Sequence, residues 1–174
     1  PKHKLVVRNL AWSGDSIRHQ PRPLNLADVE QHLAYEKIDV IFAAFGFNES
    51  FAGTEGISDF KRTLTDYLAK LKTSLFNGKK GPRIILLSPI ANEDIDRVAA
   101  GTLNNARLEA YTKAMRDVSA KQKVGFVDLF KVTKNAMESL GTDLTMNGIH
   151  LQGDGYALMA RSLFRETFGR STPK

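Results

Sequence analysis

The sequence predicts an α/β fold with a parallel sheet. Four short runs have strand character: Leu5–Ala11, Ile38–Phe45, Arg83–Leu87 and Val124–Leu129. Helical patterns alternate with them, and strand–helix alternation of this kind builds a parallel sheet. The second run, Ile-Asp-Val-Ile-Phe-Ala-Ala-Phe, is nearly continuous in apolar residues, as a strand buried on both faces should be. Right-handed crossovers then place helices on both faces, and ligands of such sheets bind beyond the carboxyl ends of the strands.

Each element has a local reason. Leu5-Val6-Val7-Arg8-Asn9-Leu10-Ala11 is a β-like run that ends in a polar loop, Trp12 to Asn25, holding Gly14, Pro21 and Pro23. Asn25 is placed as the N-cap of a helix from Leu26 to Glu36. The Ile38–Phe45 strand stops at Gly46. Ile57, Phe60, Leu64, Leu68, Leu71 and Leu75 recur at spacings of three and four, the clearest helix of the chain, closed by Asn77-Gly78. Arg83–Leu87 is stopped by Ser88-Pro89, and Leu108, Tyr111, Met115 and Val118 form the stripe of the next helix. Val124–Leu129 is the last strand, followed by helices over Phe130–Leu140 and Gly153–Phe168.

The chain has 174 residues, enough for one domain with a real core, and no linker or internal repeat divides residues 1–174. It has no cysteine, which excludes a disulfide scaffold, a thiol nucleophile and a thiolate metal site. The formal charge is +6, but the basic residues are scattered, reach no run of five and do not interleave with aromatics. That pattern argues for a solvated basic surface and against a nucleic-acid partner. No apolar run approaches the ~18 residues of a membrane span, and Pro1-Lys2-His3-Lys4 has no signal-peptide core behind it. His3, His19 and His32 lack metal-ligand spacing with any carboxylate pair, so neither metal nor cofactor is expected.

Three segments stand where a sheet of this kind puts its ligand: Trp12-Ser13-Gly14-Asp15-Ser16-Ile17, Gly46-Phe47-Asn48-Glu49-Ser50, and Asn147-Gly148-Ile149-His150-Leu151 with Gly155-Tyr156 beyond it. Taken singly each is ordinary. A Gly-Asp-Ser turn closes many loops, Gly-x-Asn is common turn chemistry, and a histidine ahead of a helix can pack or cap. In this order they resemble the SGNH (GDSL-type) hydrolase superfamily, and the resemblance runs from Leu5 to Phe168.

That resemblance implies a flavodoxin-like three-layer α/β/α sandwich and an esterase, lipase or carbohydrate acetyl-esterase activity. It implies His150 as general base, with the backbone N–H of Gly14 and the side-chain amide of Asn48 as oxyanion donors. Glycine lets a backbone amide approach a ligand closely, and asparagine donates without a competing charge. The substrate implied is a small-molecule or carbohydrate ester. The segments RNLAWSGDS, VIFAAFGFNESF and NGIHLQGDGYALMA look most like a bacterial branch whose members often belong to large secreted or cell-envelope proteins.

Two departures from the family pattern matter. Gly14-Asp15-Ser16-Ile17 reads superficially as the block that carries the family's serine, but its distance to Asn48 fits the glycine block instead. Ser16 is therefore the secondary candidate nucleophile. The serine block is expected upstream of Pro1, with the family's first strand and helix missing from this chain. That strand would lie between Leu5–Ala11 and Ile38–Phe45. The second departure is Asn147, three residues before His150, where the family carries Asp. An amide orients an imidazole without offsetting its charge, and in a serine protease the Asp→Asn change costs roughly 10⁴ in turnover. Asp143 and Asp154 are the carboxylates that could stand in. Glu49 is expected to brace its loop, and Asp128 to start the helix after it. Trp12 and Phe47 are either core or a sugar-stacking wall. An ester hydrolase is the first reading; an SGNH-like module that binds carbohydrate or protein without chemistry is the alternative.

Overall fold

The computed structural model describes residues 4–22 and 26–169. In chain order the elements are α1 (Val29–Tyr35), β1 (Val40–Ala44), α2 (Phe47–Ser50), a 3-10 turn (Thr54–Gly56), α3 (Ile57–Thr73), β2 (Arg83–Leu87), β3 (Asp94–Ile95), β4 (Val98–Ala99), α4 (Ala100–Gln122), β5 (Gly125–Val127), α5 (Leu129–Ser139) and α6 (Gly153–Phe168). Three strands form the main sheet in the order β1-β2-β5, all parallel. Val40 faces Arg83 and Ala44 faces Leu87; Ile85 faces Gly125 and Leu87 faces Val127. The short strands β3 and β4 make an antiparallel hairpin apart from it.

The periodicity of α3 explains its packing. Phe60, Leu64, Leu68 and Leu71 share one face, and all four are buried. They meet Ile41, Ala43, Ile84 and Leu86 from the sheet and Tyr111, Met115 and Val118 from α4 in one core. Both crossovers, through α3 and through α4, advance the sheet in the same direction, so the two helices lie side by side on one face. Helices α5 and α6 follow β5 and pack on each other, with α6 against β5.

Several elements differ from expectation. Leu5–Ala11 is not a strand: it pairs with nothing among the described residues, and Leu5, Val6 and Val7 are exposed. A β-like run becomes a strand only when a second backbone pairs with it, and among the described residues β1 pairs with β2 alone. The strand beginning at Ile38 is not buried on both faces. Ile41 and Ala43 point into the core, whereas Val40 and Phe42 remain 43% and 45% exposed. The first helix begins at Val29, later than Leu26, because Asp28 and Gln31 form a reciprocal capping box there; Asn25 lies outside the described residues. The last strand is shorter than Val124–Leu129, since Asp128 already caps α5 by accepting the N–H of Lys131 at 2.9 Å. Helix α2 and the β3–β4 hairpin are too short to show a period in sequence.

Candidate active site

The parallel register of β1 and β2 brings their carboxyl ends to one edge of the sheet. The loop leaving β1 at that edge carries the Gly46–Asn48 block of the candidate site. Gly46 begins the turn after β1 with φ +101°, and a Cβ there would stand 2.9 Å from Met115 Sδ and 3.2 Å from Pro89 Cγ. Both the backbone sign and the space demand glycine. Helix α2 then presents Asn48, half-buried, whose Nδ2 donates to the carbonyl of Asp15 at 2.8 Å.

Glu49 joins these two segments. Its Oε1 accepts the N–H of Ile17 at 2.8 Å and its Oε2 accepts the N–H of Gly46 at 2.8 Å. The Gly14 loop is closed a second time by Arg22, whose guanidinium makes a two-pronged ion pair with Asp15 at 2.9 Å and lies 5.5 Å over the Trp12 ring. Gly14 itself is exposed at φ +83°. Asn48 and the loop that carries Gly14 thus form one braced unit. Trp12 is 47% exposed beside it, while Phe47 packs into the small core of Ala91, Leu108 and Phe130.

The second unit is the loop before α6. Thr145 and Leu151 form an antiparallel bridge, and the N–H of Met146 donates to the carbonyl of His150 at 2.9 Å. Asn147 to His150 is the tip of this narrow hairpin. Asn147 Oδ1 accepts the backbone N–H of His150 at 3.0 Å and that of Ile149 at 3.3 Å. Two backbone donors aimed at one atom identify it as the oxygen of the amide. The same atom lies 3.0 Å from His150 Nδ1. An amide oxygen can only accept, so in the neutral ring Nδ1 carries the proton and Nε2 keeps its lone pair. Asn147 therefore sets the tautomer a general base needs, without supplying charge. Asp143 and Asp154 make no hydrogen bond to His150 among the described residues.

Ser16 does not join His150. Its Oγ accepts the N–H of His19 at 3.2 Å, and among the described residues no hydrogen bond links it to the imidazole. Ser50 is buried and donates to the carbonyl of Phe47 at 2.7 Å. Among the described residues no cluster of three His, Asp or Glu side chains could hold a metal ion, and no helix is long and apolar enough to cross a membrane.

Sequence reasoning missed Glu93. Its side chain is buried beneath the His150 hairpin and takes hydrogen bonds from Leu144 and Thr145. A lone glutamate after a strand carries no periodic or spacing signal, so nothing local marks it.

The sequence model of the GDSL-like lipase/acylhydrolase family matches residues 2–158. No curated protein matches the chain significantly. Among solved structures, a catalytic mutant of the acetylxylan esterase Axe2 of Geobacillus stearothermophilus superposes with a TM-score of 0.59 at 18% identity, over 77% of this chain and 61% of that one. A second mutant of the same esterase gives a TM-score of 0.65 at 17% identity, over 93% and 72%. LAE5, an alpha/beta hydrolase enzyme from the metagenome of Lake Arreo, Spain, gives 0.58 at 19% identity, over 80% and 68%. The chain thus spans about three fifths of the first esterase structure, 61% of its length.

Proposed function

The chain belongs to the GDSL-like lipase/acylhydrolase family, and on that premise we propose that it hydrolyses acyl or acetyl esters, carbohydrate-linked esters among them, by serine acyl transfer. The observation that carries this reading is the Asn147–His150 contact, which leaves Nε2 free to accept a proton. A serine hydroxyl attacks the ester carbonyl as Nε2 takes its proton, and the imidazolium returns that proton to the leaving alcohol. Water, deprotonated by the same nitrogen, then releases the acid. The Gly14 N–H and the second Asn48 amide hydrogen hold the oxyanion, and Glu49 keeps their loops together before substrate arrives.

Among the described residues no serine is hydrogen-bonded to His150, so the nucleophile of this reading is the residue that the labelling below must map. Polysaccharide acetyl esters are the preferred substrate class, by likeness to the acetylxylan esterase.

The test is labelling of the protein with a fluorophosphonate, mapping of the labelled serine, and assay on p-nitrophenyl acetate and acetylated xylan. Label on a serine other than Ser16, with turnover lost in His150→Ala and kept in Ser16→Ala, is the expected result. Label on Ser16 overturns the assignment of the nucleophile. Absence of both label and turnover returns the second reading, a carbohydrate- or protein-binding module, which the uncharged Asn147 favours.

A further inference from the structure

Glu93 lies on the loop that leaves β2, and the rest of that loop is fixed from several sides. Ser88 Oγ accepts the N–H of Phe130 at 2.9 Å, the N–H of Ala91 donates to Thr133 Oγ1 at 2.8 Å, and Asn92 exchanges two 2.8 Å bonds with Asn105 on α4. From this rigid base the Glu93 carboxylate collects the donors of the neighbouring hairpin. The N–H of Leu144 reaches both oxygens at 3.0 Å, and Oε2 also accepts the N–H of Thr145 at 2.8 Å and its hydroxyl at 2.6 Å.

The contact continues into the tip. Thr145 Oγ1 accepts the N–H of Gly148 at 3.0 Å while it donates to Glu93, and the backbone N–H of Glu93 donates to the carbonyl of Gly148 at 2.8 Å. Gly148 is therefore held on both its peptide groups by Glu93, once directly and once through Thr145. Asn147 and His150 stand on either side of Gly148-Ile149, and both are exposed. The tip has solvent outside it and Glu93 beneath it.

We propose that Glu93 is a positioning residue for His150, acting through Thr145 and Gly148 to hold Asn147 Oδ1 and the imidazole in register. The proposal deepens the esterase reading and rests on His150 being its general base. A carboxylate suits this place because every group aimed at it donates. An amide in its stead turns an N–H₂ toward at least one donor, and an aspartate falls one methylene short. Ring placement depends on the base of the hairpin because a displacement of about 1 Å at a catalytic group costs roughly 10²-fold in rate.

The experiment uses the protein with ¹⁵N-labelled histidine, His150→Gln assigning the signal, and the variants Glu93→Gln, Thr145→Val and Thr145→Ser. Wild type is expected to show Nδ1 protonated and Nε2 bare. Folded Glu93→Gln and Thr145→Val drift toward the Nε2–H tautomer that free imidazole favours. They lose about 10²-fold in kcat with little change in KM, the signature of an interaction needed in the transition state. Thr145→Ser, which keeps the hydroxyl, restores both readings. A wild-type ring signal in folded Glu93→Gln and Thr145→Val overturns the proposal. Failure of both to fold also overturns it, by making Glu93 a stability residue. The ring signal is read without substrate, so the two readings fail separately. A tautomer that follows Glu93 in a protein without esterase activity refutes the hydrolase and leaves the positioning role. Esterase activity that persists with an unmoved tautomer does the reverse.

Discussion

Replacing Gly148 by alanine tests whether the His150 hairpin is seated as tightly as its contacts imply. Gly148 has φ +81°, and a Cβ there would stand 2.7 Å from Ala100 Cβ and 2.7 Å from the carbonyl oxygen of Glu93. The left-handed backbone costs an alanine about 1–2 kcal/mol. The two sub-contact distances add an overpacking cost of about 1–3 kcal/mol, because neither neighbour is the free end of a flexible chain. The loss is then about 2–5 kcal/mol, or whatever smaller part remains after the hairpin lifts. Lifting breaks the Glu93 N–H to Gly148 bond and moves Asn147 and His150 together. The assay is urea unfolding of wild type, Gly148→Ala and Gly153→Ala. Gly153 is helical and has open space where its Cβ would be. Alanine there should be neutral or stabilise by up to about 1 kcal/mol. A Gly148→Ala midpoint equal to wild type, with equal esterase activity, refutes the argument that backbone sign and packing hold this loop.

Three further outcomes follow from the same geometry. Asn48→Ala should lower kcat by about 10²–10³-fold, the usual loss for one oxyanion donor, read on p-nitrophenyl acetate; a loss confined to KM would remove Asn48 from the oxyanion site. Asp94 accepts the hydroxyl of Thr102 at 2.6 Å and its N–H at 2.9 Å, and these bonds hold its carboxyl below the usual range. A depressed folded value means stability that is present above the unfolded pKa of about 3.9 and lost as pH falls through the folded one. The Tm gap between wild type and Asp94→Asn should therefore be open at neutral pH and close on acidification below about pH 4, by scanning calorimetry. Leu68 is fully buried in the α3 face, and Leu68→Ala should cost about 2–5 kcal/mol in urea unfolding.

Much of this molecule is legible in the order of its residues. The α3 helix follows from a stripe of leucines and Phe60 at helical spacing, and β2 from Arg83–Leu87 with a proline stop. Three separated blocks were legible as a candidate site, and Glu49, placed beside Asn48, braces the Ile17 and Gly46 loops. These signals are local: a period, a cap or a turn residue is decided within a few positions of itself. The Leu5–Ala11 run shows where such reasoning stops. Its β-like residues state a preference, but a strand exists only where a second backbone supplies hydrogen bonds, and among the described residues none does.

The tautomer of His150 lay within the sequence's reach only as the identity of Asn147; its geometry comes from an amide oxygen held by two backbone N–H groups. Glu93 was out of reach altogether. Its partners lie 51 and 52 positions along the chain, and no local pattern announces a contact across that distance. Periods, turns and the chemical groups on offer can be read from neighbouring residues alone. Which backbone donors converge on one buried carboxylate, and which strand finds a neighbour, is settled in the folded chain, because those contacts exist once distant segments share a small volume and the hydrogen bonds of each must be met by the others.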